Sequence, residues 1–153
     1  MKKIITVLLL LAWIIPLAAE GQKMSAGLGL EWNMNSRHNF AGGTFFNFDY
    51  QLPRFASLGF SLGVNSNFDN IHIIEPVFLF RAYRAEDEFA GLFFQSELGA
   101  SFIFEDEELT RRPRIGFGTG YRILLGSSFF VEPYGRIGYP FAFSLGVAGG
   151  IRF

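Results

Sequence analysis

The chain contains no cysteine. That excludes a disulfide, a Cys-ligated metal and a thiol nucleophile. Lysine is scarce and stops early. After Lys23 every base is an arginine. A water-facing surface normally uses lysine freely, whereas the planar fork of arginine suits enclosed pairs with carboxylates. Histidine is limited to His38 and His72, with no close carboxylate spacing around either that would make a metal site. The formal net charge of −1 offers no basic field to nucleic acid. No helix reads out beyond the first twenty or so residues, and no linker or low-complexity tract divides the rest.

What the chain does have is apolar and aromatic surface. Of its 153 residues 50% are hydrophobic and 18% aromatic, with 20 Phe and 18 Gly. A soluble sandwich of this size usually carries fewer aromatics and more charge. The amino terminus stands apart. Lys2 and Lys3 precede a continuous apolar run, Ile4–Ile15, then Pro16 and the small residues Ala19 and Gly21. This reads as a secretory signal peptide over residues 1–21, too short for a comfortable spanning helix. Residues 22–153 then form one domain.

From Met24 onward the dominant signal is alternation. Met24, Ala26, Leu28, Leu30, Trp32 and Met34 interleave with Ser25, Gly27, Gly29, Glu31 and Asn33. Successive side chains on a strand point to opposite faces, so this ribbon has one apolar and one polar side. The pattern recurs and predicts eight strands, near Met24–Met34, Thr44–Leu52, Ser57–Asn65, Ile71–Tyr83, Ala90–Phe104, Arg114–Leu125, Ser128–Tyr139 and Phe143–Phe153. Strands of about 9–11 residues, even in number and alternating in polarity, are the signature of a transmembrane barrel. The expected fold is all-β: an eight-stranded antiparallel up-and-down transmembrane β-barrel.

The polar face decides which side meets lipid. It carries Gly, Ser and Asn, with Glu31, Asp49, Glu75, Glu97 and Glu132 set against Arg81, Arg114, Arg122, Arg136 and Arg152. Ten matched charges among small residues fit a narrow lumen and predict a charge network inside it. Phe45, Phe93, Phe130 and Tyr134 also fall inward by parity and help to plug it. Outward aromatics cluster near strand ends: Trp32, Phe104 and Tyr139 at the outer end, Tyr50 and Tyr121 at the inner. Such girdles belong at the two membrane interfaces. Pro76 and Pro133 interrupt the fourth and seventh strands, and bulges are expected there. The run Glu105–Glu108 with Arg111 and Arg112 reads as a solvated outer loop.

On these residues the chain resembles the small eight-stranded outer-membrane barrels of the OmpA, OmpX and opacity type. Barrels of that kind commonly end in an aromatic residue recognised by the assembly machinery. The resemblance gives that role to Phe153, with Ile151 the outward apolar residue two before it; Ala148 stands where the usual signal has Gly. It implies an integral outer-membrane protein, and with the signal peptide the leading expectation is an exported, non-catalytic barrel with a structural or surface-interaction role. The expected partners are outer-membrane lipid and the barrel-assembly machinery, with no nucleic acid and no cofactor, and the expected state is monomeric. A narrow channel for small solutes or apolar molecules is the alternative. A lipid A-modifying hydrolase is a third. Ser36-Arg37-His38-Asn39 resembles the His-x-Ser-Asn run of lipid A deacylase barrels, but no serine lies two residues after His38.

Overall fold

The structure, a computed structural model, describes residues 24–35, 39–52, 55–84, 90–105 and 108–153. The expected signal peptide and His38 lie outside them. Eight strands follow one another in chain order: β1 (Met24–Met34), β2 (Phe40–Gln51), β3 (Ala56–Ser66), β4 (Ile71–Tyr83), β5 (Gly91–Glu105), β6 (Glu108–Leu125), β7 (Phe129–Tyr139) and β8 (Phe143–Arg152). Each pairs antiparallel with its neighbours, and β8 pairs with β1, so the sheet closes into a barrel. Closure leaves no strand edge along the wall. Two backbone bonds complete the seam at the inner end: Met24 N–H donates to the Phe153 carbonyl (3.0 Å) and Phe153 N–H to that of Met24 (2.9 Å).

Polarity is inverted relative to a soluble barrel. Leu28, Phe78, Leu98, Phe117 and Ile137 are among the exposed side chains on the outer surface, whereas Glu75, Arg81, Arg122 and Glu132 are at most 1% exposed within. The inward aromatics fill the inner half of the bore. Phe45, Tyr83, Phe93, Tyr134 and Ala148 form one buried cluster, with Phe130 also buried. Glycines on facing strands make room for these rings, as at Gly146 beside Tyr134 and Gly150 beside Phe130. A second buried cluster, Ala41, Ile73 and Phe141, lies at the outer end.

Two local expectations are corrected. Neither proline forms a bulge. Pro76 keeps its pairing with Leu62 on β3, while the β4–β5 pairs step from Ile74↔Phe102 to Val77↔Gly99, three residues on each strand. Pro133 pairs with Val147 on β8, and the β6–β7 pairs step from Gly120↔Tyr134 to Ile123↔Val131. Each proline lacks one N–H, so pairing lapses on one side only and the register passes through unchanged. The described part of the charged run after Phe104, Glu105 and Glu108 to Arg112, is strand rather than loop. β5 and β6 continue as a hairpin through Phe102↔Arg111, Ile103↔Thr110 and Glu105↔Glu108. The last β6–β7 pair is Ile115↔Tyr139, so the first residues of β6, 108–114, rise beyond β7 beside them.

Candidate functional site

The parity of eight strands delivers nine charged side chains to one enclosed interior. They sort into two groups. Towards the inner end, Arg81 and Arg122 face Asp49 and Glu132 in a four-membered box. Arg81 Nη1 lies 2.9 Å from Asp49 Oδ2 and 3.0 Å from Glu132 Oε1. Arg122 Nε donates to Glu132 Oε2 at 2.6 Å, and its Nη2 lies 3.4 Å from Asp49 Oδ2. Both guanidiniums also lie over aromatic rings. Arg122 sits 4.2 Å from the Phe130 centroid and Arg81 5.1 Å from that of Phe93. Stacking on aromatic faces is available to arginine and adds to the ion pairs.

Further out, three carboxylates meet two guanidiniums in a chain. Arg114 pairs with Glu75 and donates to Glu97 Oε2 at 3.2 Å. Arg136 donates to the same Glu97 oxygen at 3.3 Å and grips Glu31 through Nη2 (2.6 Å) and Nε (3.1 Å). The Tyr134 hydroxyl donates to Glu31 Oε2 at 2.6 Å. Neutral amides close the chain into a ring. Arg136 Nη2 donates to Asn33 Oδ1 (2.9 Å), Asn33 Nδ2 to Asn65 Oδ1 (3.1 Å), and Asn65 Nδ2 to Glu75 Oε2 (3.1 Å). Gln95 couples the two groups: it accepts from Arg81 Nε at 3.2 Å and donates to Glu97 Oε1 at 2.7 Å.

Arg152 does not join them. Expected in the network, it lies half-buried at the inner rim, where Nη2 donates to the Ser127 carbonyl of the β6–β7 turn at 2.9 Å. It is the last residue of β8, so its inward parity carries it to the mouth of the bore rather than into it. The interior therefore holds Glu31, Asp49, Glu75, Glu97 and Glu132 against Arg81, Arg114, Arg122 and Arg136. Asn33, Asn65 and Gln95 have the same inward parity as the charged residues. Their roles depend on cross-barrel distances that alternation does not encode.

Around the charge network the interior is close-packed. The cavity among Glu31, Glu75, Glu97 and Arg114 measures about 20 Å³, space for about one water. Such a network can brace opposite walls of the barrel. Removing one member of a buried ion pair leaves an uncompensated charge, at a cost of about 3–5 kcal/mol. Among the described residues, no group of three or more His, Asp or Glu is placed to hold a metal. His72 is exposed at the start of β4.

The remaining sequence-selected residues lie on the outside. Trp32, Phe104 and Tyr139 are exposed near the outer end, Tyr50 and Tyr121 near the inner end. Ile151 faces outward opposite Ala26 and Phe129, and Phe153 closes the seam with Met24.

This architecture is that of the small eight-stranded outer-membrane β-barrels. The N-terminal β-barrel domain of Pseudomonas aeruginosa OprF superposes with a TM-score of 0.58 at 13% identity, covering 88% of this chain and all (100%) of that one. Neisserial surface protein A superposes with a TM-score of 0.56 at 10% identity, covering 84% of this chain and 94% of its own. No protein-family model matches the chain, and no curated protein matches it in sequence.

Proposed function

We propose that the chain is an integral outer-membrane protein, exported by its amino-terminal signal segment, with a structural or surface-contact role and no catalytic activity. The observation that carries this reading is the inverted polarity: an apolar outer wall around an interior of ion pairs. A predominantly apolar exterior is costly in water and favourable in hydrocarbon. The aromatic bands then sit at the two interfaces, and the mode of action is passive. Lipid solvates the wall, the internal network holds its shape, and the outer connections with the β5–β6 hairpin present the contact surface. The carboxy-terminal strand, with Ile151 and Phe153, serves the assembly machinery as its recognition element, and the barrel works as a monomer.

The test is membrane fractionation combined with gel migration of the detergent-extracted protein with and without boiling. Outer-membrane recovery and heat-modifiable migration are expected; recovery as a soluble periplasmic protein overturns the proposal. The close packing of the charge network and of the aromatic cluster below it argues for a barrel that does not conduct. Planar bilayers should therefore show no steady current, and open-channel currents abolished by interior substitutions would replace this role with that of a narrow channel.

A further inference from the structure

The outer end of the bore is built unlike the rest of the interior. Beyond the Asn33–Asn65 layer the inward positions turn apolar: Ile71 and Ile73 on β4 and Ile103 on β5, with Ala41 and Phe141. They do not close the mouth. Two adjoining cavities of about 470 and 450 Å³ open outward over them, sharing Ile71, Ile73 and Phe141 as a common apolar wall and Asn35 and Asn39 as a common polar one. Each is within the roughly 300–1,000 Å³ range of small-molecule sites, whose usual lining is apolar with a few polar groups at fixed points. A concavity that pairs an apolar wall with a polar one and stays open to solvent is the kind of feature that marks a ligand site.

The surroundings say what kind of ligand. Phe40 and Tyr139 line the cup and are also exposed, at 69% and 46%, so its rim merges with the outer surface at the outer aromatic band. That places the opening where amphiphiles concentrate. Among the described residues the charged rim groups are Asp69, Glu105 and Arg112, two acids to one base, and Arg112 already donates to the Tyr139 hydroxyl at 3.3 Å. This rim disfavours an anionic head, while the Asn35 and Asn39 amides suit a hydroxyl-bearing one. We propose that the cup is a binding site for a single-chain amphiphile with an uncharged, hydroxylated head, its chain on the isoleucine and Phe141 wall and its head at the asparagines. The inference rests on the barrel lying in a bilayer.

The test uses the full chain in phospholipid nanodiscs with isoleucine methyl groups labelled for NMR, titrated with monodecanoylglycerol. Saturable shifts are expected at Ile71, Ile73 and Ile103, with none at the outward Ile115, Ile123, Ile137 and Ile151. Decanoate should shift the same methyls only at higher concentration. Ile103→Asn, checked for heat-modifiable migration, should lose the saturable shifts. Shifts confined to the outward isoleucines, or none at all, overturn the site. Saturation by indole but not by monodecanoylglycerol overturns the assignment of the ligand class. Failure of the bilayer reading shows separately, as outward methyls in contact with water instead of lipid chains.

Discussion

The ring of Tyr134 occupies the space that a side chain on Gly146 would need. The two face each other across the β7–β8 ladder, and a Cβ on Gly146 would come 2.5 Å from the Tyr134 Cζ and 2.6 Å from its hydroxyl oxygen. That hydroxyl is committed to Glu31, and the ring packs edge-on against Phe45 with centroids 5.6 Å apart. The ring therefore has two reasons not to move. Gly146→Ala should destabilise the barrel by about 1–3 kcal/mol, the usual cost of overpacking. Gly149→Ala on the same strand meets nothing nearer than 3.9 Å and should be close to neutral. Urea unfolding in lipid vesicles, followed by tryptophan fluorescence, separates the two.

Arg136 and Arg152 share inward parity but not environment. Arg136 reaches Glu31, Asn33 and Glu97 inside the bore, whereas Arg152 bonds a turn carbonyl at the rim. Arg136→Met strands Glu31 without a guanidinium in the enclosed interior, leaves Glu97 to Arg114 alone, and should cost about 3–5 kcal/mol. Arg152→Met loses contacts at the half-buried rim but strands no carboxylate of the bore, and should cost less, about 0.5–1.5 kcal/mol. The same unfolding measurement compares them, and equal losses would mean that burial does not set the strength of these contacts.

Among the carboxylates, Glu75 and Glu97 differ in how many guanidiniums depend on them. Glu97 serves both Arg114 and Arg136, and Glu75 serves Arg114 alone. Glu75→Gln leaves Arg114 paired with Glu97 and Arg136 paired with Glu31, two acids to two bases, and the new amide oxygen can still accept from Asn65. Glu97→Gln weakens contacts to both arginines at once and leaves Gln95 Nε2 facing an amide. Glu75→Gln should therefore be the milder substitution, by about 1–2 kcal/mol, of the order of one charged hydrogen bond. Thermal loss of the compact band on unheated gels ranks the two.

Much of this was legible in the chain because a period of two is unambiguous over ten residues. Leu58, Phe60, Leu62 and Val64 against Ser57, Gly59, Ser61 and Gly63 allow only a strand, and a one-residue slip would reverse every face. The start of β6 was not legible, since Glu108 to Pro113 lacks alternation and is held as strand by pairing with β5. The bulges expected at Pro76 and Pro133 failed because a missing N–H interrupts pairing without demanding an extra residue. The cup was hidden for a different reason. Ile73 and Ile103 have inward parity, but parity does not tell an apolar lining at the mouth from a plug deeper in the bore. Nor does any local pattern select Glu31 as the partner of Arg136, 105 residues away.

The face that meets lipid can be tested by depth. Leu62 and Leu109 both point outward with similar exposure, 41% and 45%. Leu62 lies mid-strand on β3, opposite Phe46 and Pro76, whereas Leu109 sits on the part of β6 that rises beyond Tyr139. In a bilayer, an arginine at the midplane of a barrel costs about 2–4 kcal/mol and near the interface about 0–1 kcal/mol. Leu62→Arg should therefore lower the yield of heat-modifiable protein and its unfolding midpoint in vesicles, and Leu109→Arg should leave both nearly unchanged. In water the two substitutions would be equivalent, since exposed leucines away from special features tolerate a charge within about 0.5 kcal/mol. Equal, small effects would thus remove lipid from the outside of the barrel, and a large effect at Leu62 alone would fix the hydrocarbon layer to the middle of β3.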